Sequence, residues 1–327
     1  MALKVALISG VTGQDGYYLA KYLIDLEYKV FGLVSGQHNF KISKLKVDLP
    51  ELEILYGDLQ DSHSLIRALE SSNPDEIYNL AAISFVGVSW AQPEKVAEVT
   101  GLGVLKFLEA VRHFQNKSKK KIKFYQASSS EMFGKVKESP QNESTPFYPR
   151  SPYGVAKVFG HQITVNYRES FGIHSVSGIL FNHESPRRGE EFVTRKVTKA
   201  VAAIKYKLQD KLILGNLSSK RDWGFAGDYV KGMHSMMQID NPQDFVLATG
   251  KTHSIEDLCR IAFEIVGLNW EEFVEVDTNL LRPAEVDLLI GDYSKAEKLL
   301  GWKPDVEFAE LIEMMVTNDL DLIKGKS

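Results

Sequence analysis

Two rhythms of apolar and polar positions alternate along the first half of the chain. "LKVALISG" is a continuous apolar run that stops at glycine, the pattern of a strand buried on both faces. "YYLAKYLIDLEYKV" then spaces its apolar residues as a helix does and leads into a second strand, "VFGLVSG". The pairing repeats. Strand "LEILYGD" precedes helix "HSLIRALESS", and strand "EIYNLAA" precedes one long helix, "KVAEVTGLGVLKFLEAVRHF". Strand "KIKFYQASS" precedes the long helix "YGVAKVFGHQITVNYRESF", which leads to strand "HSVSGILFN". Strands alternating with helices predict an α/β fold with a doubly wound parallel (Rossmann) sheet. The order loosens after Asn182 into charged, proline-containing loops, the helix "RKVTKAVAAIKYKL" and short elements. We therefore expect residues 1–180, with roughly 222–250, to form the sheet domain. Residues from roughly 181–221 and 251–327 should form a smaller, mostly C-terminal α/β lobe that faces the ligand.

Composition narrows the class. At 327 residues, with 44% apolar and 25% charged positions, the chain is an ordinary soluble globular protein with a substantial core. A formal net charge of -4 argues against non-specific binding to nucleic acid or a membrane surface. The single cysteine, Cys259, excludes an internal disulfide framework and argues against a cysteine-built zinc site. No apolar run has the length of a membrane span, and the first residues lack a signal-peptide pattern, so a cytoplasmic protein is expected. The one charge run, "NKSKKKIK", reads as a solvated loop.

Three motifs carry chemistry. After the first strand, "GVTGQDG" sets glycines at Gly10, Gly13 and Gly16, where a tight turn brings backbone N–H groups to a pyrophosphate at the head of a helix. With Gln14 and Asp15 between them, these residues form the candidate cofactor turn. Asp58 and Leu59 end the third strand, where an adenine edge would be read, although a turn or helix-cap role explains Asp58 equally well. "NLAAISF" ends the fourth strand, and its Leu80, Ala81, Ala82 and Ser84 suit the close approach of a nucleotide or simple tight packing. In "SPYGVAK", Tyr153 and Lys157 stand four residues apart on one helix face. A neighbouring ammonium favours the phenolate of a tyrosine whose free pKa is about 10. Lys157 is also suited to hold a nicotinamide ribose. In "YQASSSEMFG", a run of serines ends in a lone carboxylate, Glu131, which is a helix cap or a second base.

"GVTGQDG", "NLAAISFVGVSW", "FYQASSSEMFG", "TPFYPRSPYGVAK", "GILFNHESPRRGEEFVTRKV", "GNLSSKRDWGFAGDYV", "LRPAEVD" and "GWKP" follow one another along nearly the whole chain. In this order they resemble the GDP-mannose 4,6-dehydratases, which are extended short-chain dehydrogenases/reductases. The resemblance implies a lyase of nucleotide-sugar metabolism that converts GDP-mannose to GDP-4-keto-6-deoxymannose. Hydride would pass from C4 to a tightly bound nicotinamide cofactor and back to C6. Tyr153 would take the C4 hydroxyl proton, with Ser129 as the matching hydroxyl where the family usually has threonine, and Lys157 beside them. Glu131 would take the C5 proton and pass it to the departing C6 hydroxyl, a carboxylate that a plain epimerase or reductase does not need. The resemblance sets His183 and Arg188 near the cofactor, and Asn182, Arg221, Arg282 and Glu285 near the GDP-sugar. Arg195 and Lys196 join the substrate set as cations suited to a diphosphate. Trp223 is a core or site aromatic.

The chain departs from the family after its second strand. Ser35 and Gly36 stand where two arginines usually bind the 2′-phosphate of NADP, so the cofactor is expected to be NADP or NAD, with Lys41 and Lys44 as candidate replacements. The alternative substrate is GDP-N-acetylglucosamine, on which the C4–C6 chemistry is the same. Other readings are an epimerase or reductase of the same fold and a non-catalytic NAD(P)-binding sensor. "VLKFLEAV" and "VFGHQITVNY" hold more apolar positions than one sheet-facing side requires, so a homodimer through a four-helix bundle is expected, with tetramer assembly open.

Overall fold

A computed structural model describes residues 3–36, 41–280 and 288–325. The apolar runs form strands β1 (Val5–Ser9), β2 (Lys29–Val34), β3 (Glu53–Tyr56), β4 (Glu76–Asn79), β5 (Lys123–Ser129) and β6 (His174–Leu180). A seventh strand, β7 (Phe245–Leu247), completes one sheet in the order β7-β6-β5-β4-β1-β2-β3. Every pairing in it is parallel. The strand order reverses between β1 and β4, and open α/β sheets bind ligands in the crevice beyond the C-terminal strand ends at such a point.

Strand alternation sends successive side chains to opposite faces. Ala6 and Ile8 of β1 pack with Leu19 and Leu23 of helix α1 (Gln14–Asp25), whereas Leu7 packs on the other side. Helix α2 (Lys41–Asp48) follows β2. Helices α3 (Ser62–Ser72), α4 (Gly103–Ser118) and α5 (Pro152–Phe171) cover the second face through Leu65, Leu69, Phe107, Val111 and Tyr167. The long helix expected before β5 is interrupted. A π-helical segment, Ala97–Leu102, precedes α4, and its Thr100 hydroxyl accepts the Ile83 N–H at 3.1 Å. The irregular turn thus braces the loop that follows β4, a use of π-segments common beside functional sites.

The C-terminal lobe has its own core. Helices α6 (Val193–Lys205), α8 (Ile255–Ile265) and α9 (Phe308–Lys324) enclose Val197, Leu214, Leu258, Phe263, Phe308 and Ile312. Helix α7 (Ala226–Gln238) instead returns to the sheet and packs Met233 and Met236 beside α1. Short strands knit the lobe: Leu212–Leu214 pairs with Val274–Val276, and Lys220–Arg221 lies between His253–Ser254 and Leu288–Leu289. Trp223 belongs to this core, stacked on Phe308 at 5.5 Å between ring centres.

Candidate active site

The head of α1 is built for close approach. Gly10 adopts φ +71°, and a Cβ there would lie 2.9 Å from the Ala81 backbone. A Cβ on Gly16 would lie 2.4 Å from the Gly10 carbonyl oxygen. Gly13 caps α1 without a side-chain hydrogen bond, so the first-turn N–H groups face the cleft as an anion site. Ala81 and Ala82 line the same wall. These residues fit a dinucleotide's pyrophosphate, because a side chain at Gly10 or Gly16 would strike the backbone and push apart the turn that presents those N–H groups.

One cleft of ≈ 1070 Å³ takes in most of the expected site residues. Gly10, Gly13, Gln14, Asp15, Gly16, Asp58, Leu59, Leu80, Ala81, Ala82, Ser84, His183 and Arg188 all line it. So do Ser129, Glu131, Tyr153, Lys157, Asn182, Lys196 and Arg221. Such a volume exceeds that of an ordinary small-molecule pocket, as two bound molecules require. Arg282 and Glu285 lie outside the described residues.

The catalytic candidates meet where β5 ends. Ser151 caps α5 by accepting the Gly154 N–H at 3.0 Å, and Pro152 follows in the first turn, which fixes Tyr153 at the helix entrance. The Ser129 hydroxyl accepts the Glu131 N–H at 3.2 Å and lines the cleft near the Tyr153 phenol. The serine is therefore both the cap of the short helix Ser130–Met132 and a neighbour of the tyrosine. Lys157 donates from Nζ to the Ala127 carbonyl at 2.7 Å and sits 5.7 Å from the Tyr153 ring centre. Burial pushes the phenol above its ordinary value, the nearby Ser129 hydroxyl pulls it back, and Glu131 adds to the rise. Burial also lowers Lys157 to about 8, against the pull of Asp15. The phenol is thus raised where a lowering was expected, and the groups that pull it down are Ser129 and Arg188 rather than the Lys157 ammonium.

Several side chains in the cofactor set are held by protein. Gln14 donates to Asp15 and to the His183 carbonyl, each at 3.0 Å, and accepts from Ser185 at 2.7 Å. His183 sets Nδ1 2.7 Å from the Phe181 carbonyl and Nε2 2.8 Å from Asp15, and its ring stacks on Tyr229. Two acceptors favour a charged imidazole. Burial opposes this, but Asp15 prevails and the His183 pKa is raised. Asp15 answers in kind: burial would raise it, yet His183 holds it down to about 2. This pair ties the phosphate turn to the segment after β6. Arg188 pairs with buried Glu184 at 2.9 Å and lies 3.5 Å over the Phe192 ring.

Two expectations need correction. Arg195 does not line the cleft: it points into the lobe, buried and ion-paired with Asp319 of α9, while its neighbour Lys196 faces the cleft and donates to the Ile213 carbonyl at 2.7 Å. One helical step turns a side chain by about 100°, enough to carry it from the lobe's core to the cleft. Likewise, Val104, Phe107, Leu108 and Val111 of "VLKFLEAV" are all buried within the subunit. The exposed apolar face consists of Trp90, Leu102, Val155 and Phe159, so only "VFGHQITVNY" supplies part of it. Near the expected 2′-phosphate position, Ser35 and Lys41 line the cleft, and Lys44 is exposed away from it.

A buried polar chain escaped the sequence reading. The Ser9 hydroxyl donates to Asn79 at 2.6 Å, and Asn79 donates to Gln126 at 2.8 Å, across the ends of β1, β4 and β5. The available signal was a polar residue near the end of each of three apolar strands. Phe85 and Phe192, edge to face at 5.7 Å, wall the cleft mouth and were also missed.

The family model for GDP-mannose 4,6 dehydratase matches residues 7–315. GDP-mannose 4,6 dehydratase 1 of Arabidopsis thaliana is 50% identical over 329 residues, covering 98% of this chain and 91% of that protein. The GDP-mannose 4,6-dehydratase of Yersinia enterocolitica is 46% identical over 357 residues, covering 98% of this chain and 95% of that protein. Among solved structures, a UDP-glucose 4-epimerase of Thermotoga maritima superposes with a TM-score of 0.86 at 23% identity, covering 98% of this chain and 99% of that one. A dTDP-glucose 4,6-dehydratase of Streptomyces venezuelae, solved with NAD, superposes with a TM-score of 0.84 at 21% identity, covering 96% of each chain. At these identities the structural matches establish the fold alone.

Proposed function

The chain belongs to the GDP-mannose 4,6-dehydratase family, and on that footing we propose that it removes water from GDP-mannose to give GDP-4-keto-6-deoxymannose. The observation that carries this reading is a carboxylate beside the Ser129–Tyr153–Lys157 set: Glu131 lines the same cleft, two residues beyond Ser129. The relatives' names supply the GDP-mannose substrate.

NADP or NAD, bound over the phosphate turn, supplies an acceptor for the C4 hydride that later returns it to C6, and its positive ring favours the Tyr153 phenolate. The rest falls to the chain. Tyr153 takes the C4 hydroxyl proton, and the Ser129 hydroxyl holds the oxygen that becomes the ketone. Lys157 steadies the ribose and the phenolate. The C4 ketone acidifies C5–H, Glu131 removes that proton, and the same carboxyl group gives it to the C6 hydroxyl, which leaves as water. When hydride enters C6, C5 regains a proton, which balances the one that Tyr153 took from the C4 hydroxyl, so the sugar loses one water and nothing else. Lys196, Arg221 and Asn182 hold the diphosphate and sugar. Arg282 and Glu285 are assigned to the same ligand on the resemblance alone. Residues 1–180 with roughly 222–250 serve the cofactor, and the remainder serves the nucleotide sugar.

Mass spectrometry after incubation with GDP-mannose or GDP-N-acetylglucosamine, with NAD and NADP each supplied, tests this. Loss of one water from GDP-mannose is expected. Loss from the N-acetyl sugar alone would keep the chemistry and replace the substrate. Absence of loss from both would refute the reading.

We read the enzyme as a cytoplasmic homodimer that buries Trp90, Leu102, Val155 and Phe159, which are 45%, 43%, 56% and 40% exposed in the subunit. Phe159→Glu should shift the dimer to monomer in light scattering. A dimer that withstands the charge would refute this face. No helix among the described residues is long and apolar enough to cross a membrane.

A further inference from the structure

Three consecutive residues of β5 are stitched to one stripe of α5. Tyr153, Lys157 and His161 stand four residues apart and so share a helix face. Tyr153 meets Ser129, Lys157 meets the Ala127 carbonyl, and His161 meets the residue between them, with Nδ1 2.9 Å from the Ser128 hydroxyl. The first two contacts belong to the site already described. The third lies behind it, on the opposite face of the strand from Ser129, and His161 is only 5% exposed.

The ring is fixed from its other side. Nε2 faces Asp244 Oδ2 at 3.9 Å, and Asp244 is held by both guanidinium nitrogens of Arg168 at 2.9 Å and by the Ser177 N–H at 2.9 Å. The Phe147 ring packs edge-on against the imidazole at 5.2 Å. The Asp244 carboxylate facing Nε2 favours the proton on that nitrogen, the tautomer in which Nδ1 accepts from Ser128. Burial lowers the His161 pKa, Asp244 opposes this and Arg168 adds to it, so the ring stays neutral.

We propose that His161 is a positioning residue of the dehydratase: by holding Ser128 against α5 it fixes where the next residue, Ser129, presents its hydroxyl to Tyr153. The proposal rests on the reading of Ser129 and Tyr153 given above. The Ser129 hydroxyl favours the ionised phenol, against burial and Glu131. Arg188 and Asp15 also act on that phenol, and they are held by Glu184 and His183 rather than by His161, while Lys157 lies 5.7 Å from the ring. If the end of β5 shifts, the Ser129 hydroxyl moves away from the phenol, the phenol ionises at higher pH, and turnover at neutral pH falls while substrate binding stays.

The test uses holoenzyme loaded with NADP and four variants: His161→Phe, which keeps a ring without nitrogens; His161→Asn, whose amide reaches the Nδ1 position; Ser128→Ala; and the Ser128→Ala/His161→Phe double variant. For His161→Phe, kcat at pH 7 should fall about tenfold, the worth of one hydrogen bond. KM for GDP-mannose should stay within about twofold, and the acid limb of the kcat–pH profile should move up by about one pH unit. His161→Asn should restore both, and the double variant should be no worse than either single change. A fall in kcat with an unmoved limb, or one that asparagine does not rescue, would make His161 a packing residue only. Wild type that does not dehydrate GDP-mannose would remove the dehydratase reading itself. The positioning claim is then decided by crystal structures of the NADP-loaded wild type and variants. The distance between the Ser129 and Tyr153 hydroxyls must lengthen with phenylalanine and return to the wild-type value with asparagine, and an unchanged distance overturns the claim.

Discussion

Replacing Asp319 by alanine would leave the Arg195 guanidinium buried without its counter-ion. The two side chains are 3% and 7% exposed, and Asp319 also accepts the Thr198 hydroxyl at 2.8 Å. Breaking such a buried pair from one side costs about 3–5 kcal/mol. In a chain of 327 residues this lowers the thermal midpoint by roughly 4–7 °C. Burial raises the Asp319 pKa despite Thr198 and Arg195, so desolvation costs the carboxylate more than its partners return. It follows that removing both charges, Arg195→Met with Asp319→Leu, should cost much less than Asp319→Ala, within about 2 kcal/mol of wild type. The assay pairs thermal unfolding with steady-state kinetics on GDP-mannose. Both variants should keep the wild-type KM at a temperature where they are folded. A raised KM for the double variant at an unchanged midpoint would return Arg195 to the substrate site and refute its structural role.

Glu131→Gln should lower kcat by about 10²–10⁴ with little change in KM, and recovered substrate should no longer take up solvent deuterium at C5; retained exchange would assign the base elsewhere. Gly16→Ala should abolish cofactor retention, read as nucleotide released on denaturation, because its Cβ would lie 2.4 Å from the Gly10 carbonyl oxygen. The Asp15–His183 pair predicts a pH window. Asp15 is held down to about 2, so its contribution is full above the ordinary carboxylate range and is lost as pH falls toward 2. His183 is raised, so its contribution is full below about 6.5 and is lost as pH climbs through the raised value. The difference in thermal midpoint between wild type and Asp15→Asn should therefore be widest from about pH 4 to 6.5 and shrink on both sides; a difference independent of pH would contradict the pairing.

The sheet domain was readable because each of its first six strands is an apolar run long enough to declare itself and is cut by a glycine or a polar residue. β7 was not readable, since "FVL" is three residues and gains strand character only from β6 beside it. The lobe's strands of two or three residues carry no period to detect. The cleft residues were legible from spacing around turns: the glycines before α1, and Tyr153 with Lys157 in the opening turns of α5. Direction was the harder quantity. Arg195 and Lys196 are both plausible phosphate ligands by composition, and only the docking of α9 against α6 decides which one is buried. His161 continues the Tyr153–Lys157 stripe in plain view, but its partners Ser128 and Asp244 come from distant parts of the chain, and only the fold joins them.

The central claim is that one cleft oxidises C4, removes water across C5 and C6, and keeps the hydrogen it took. Supplying GDP-mannose deuterated at C4 to the holoenzyme and examining the product by NMR tests this directly. The account predicts a product lighter by one water, with the deuterium now at C6. Deuterium lost to solvent, or a product that keeps its C6 hydroxyl, would contradict it.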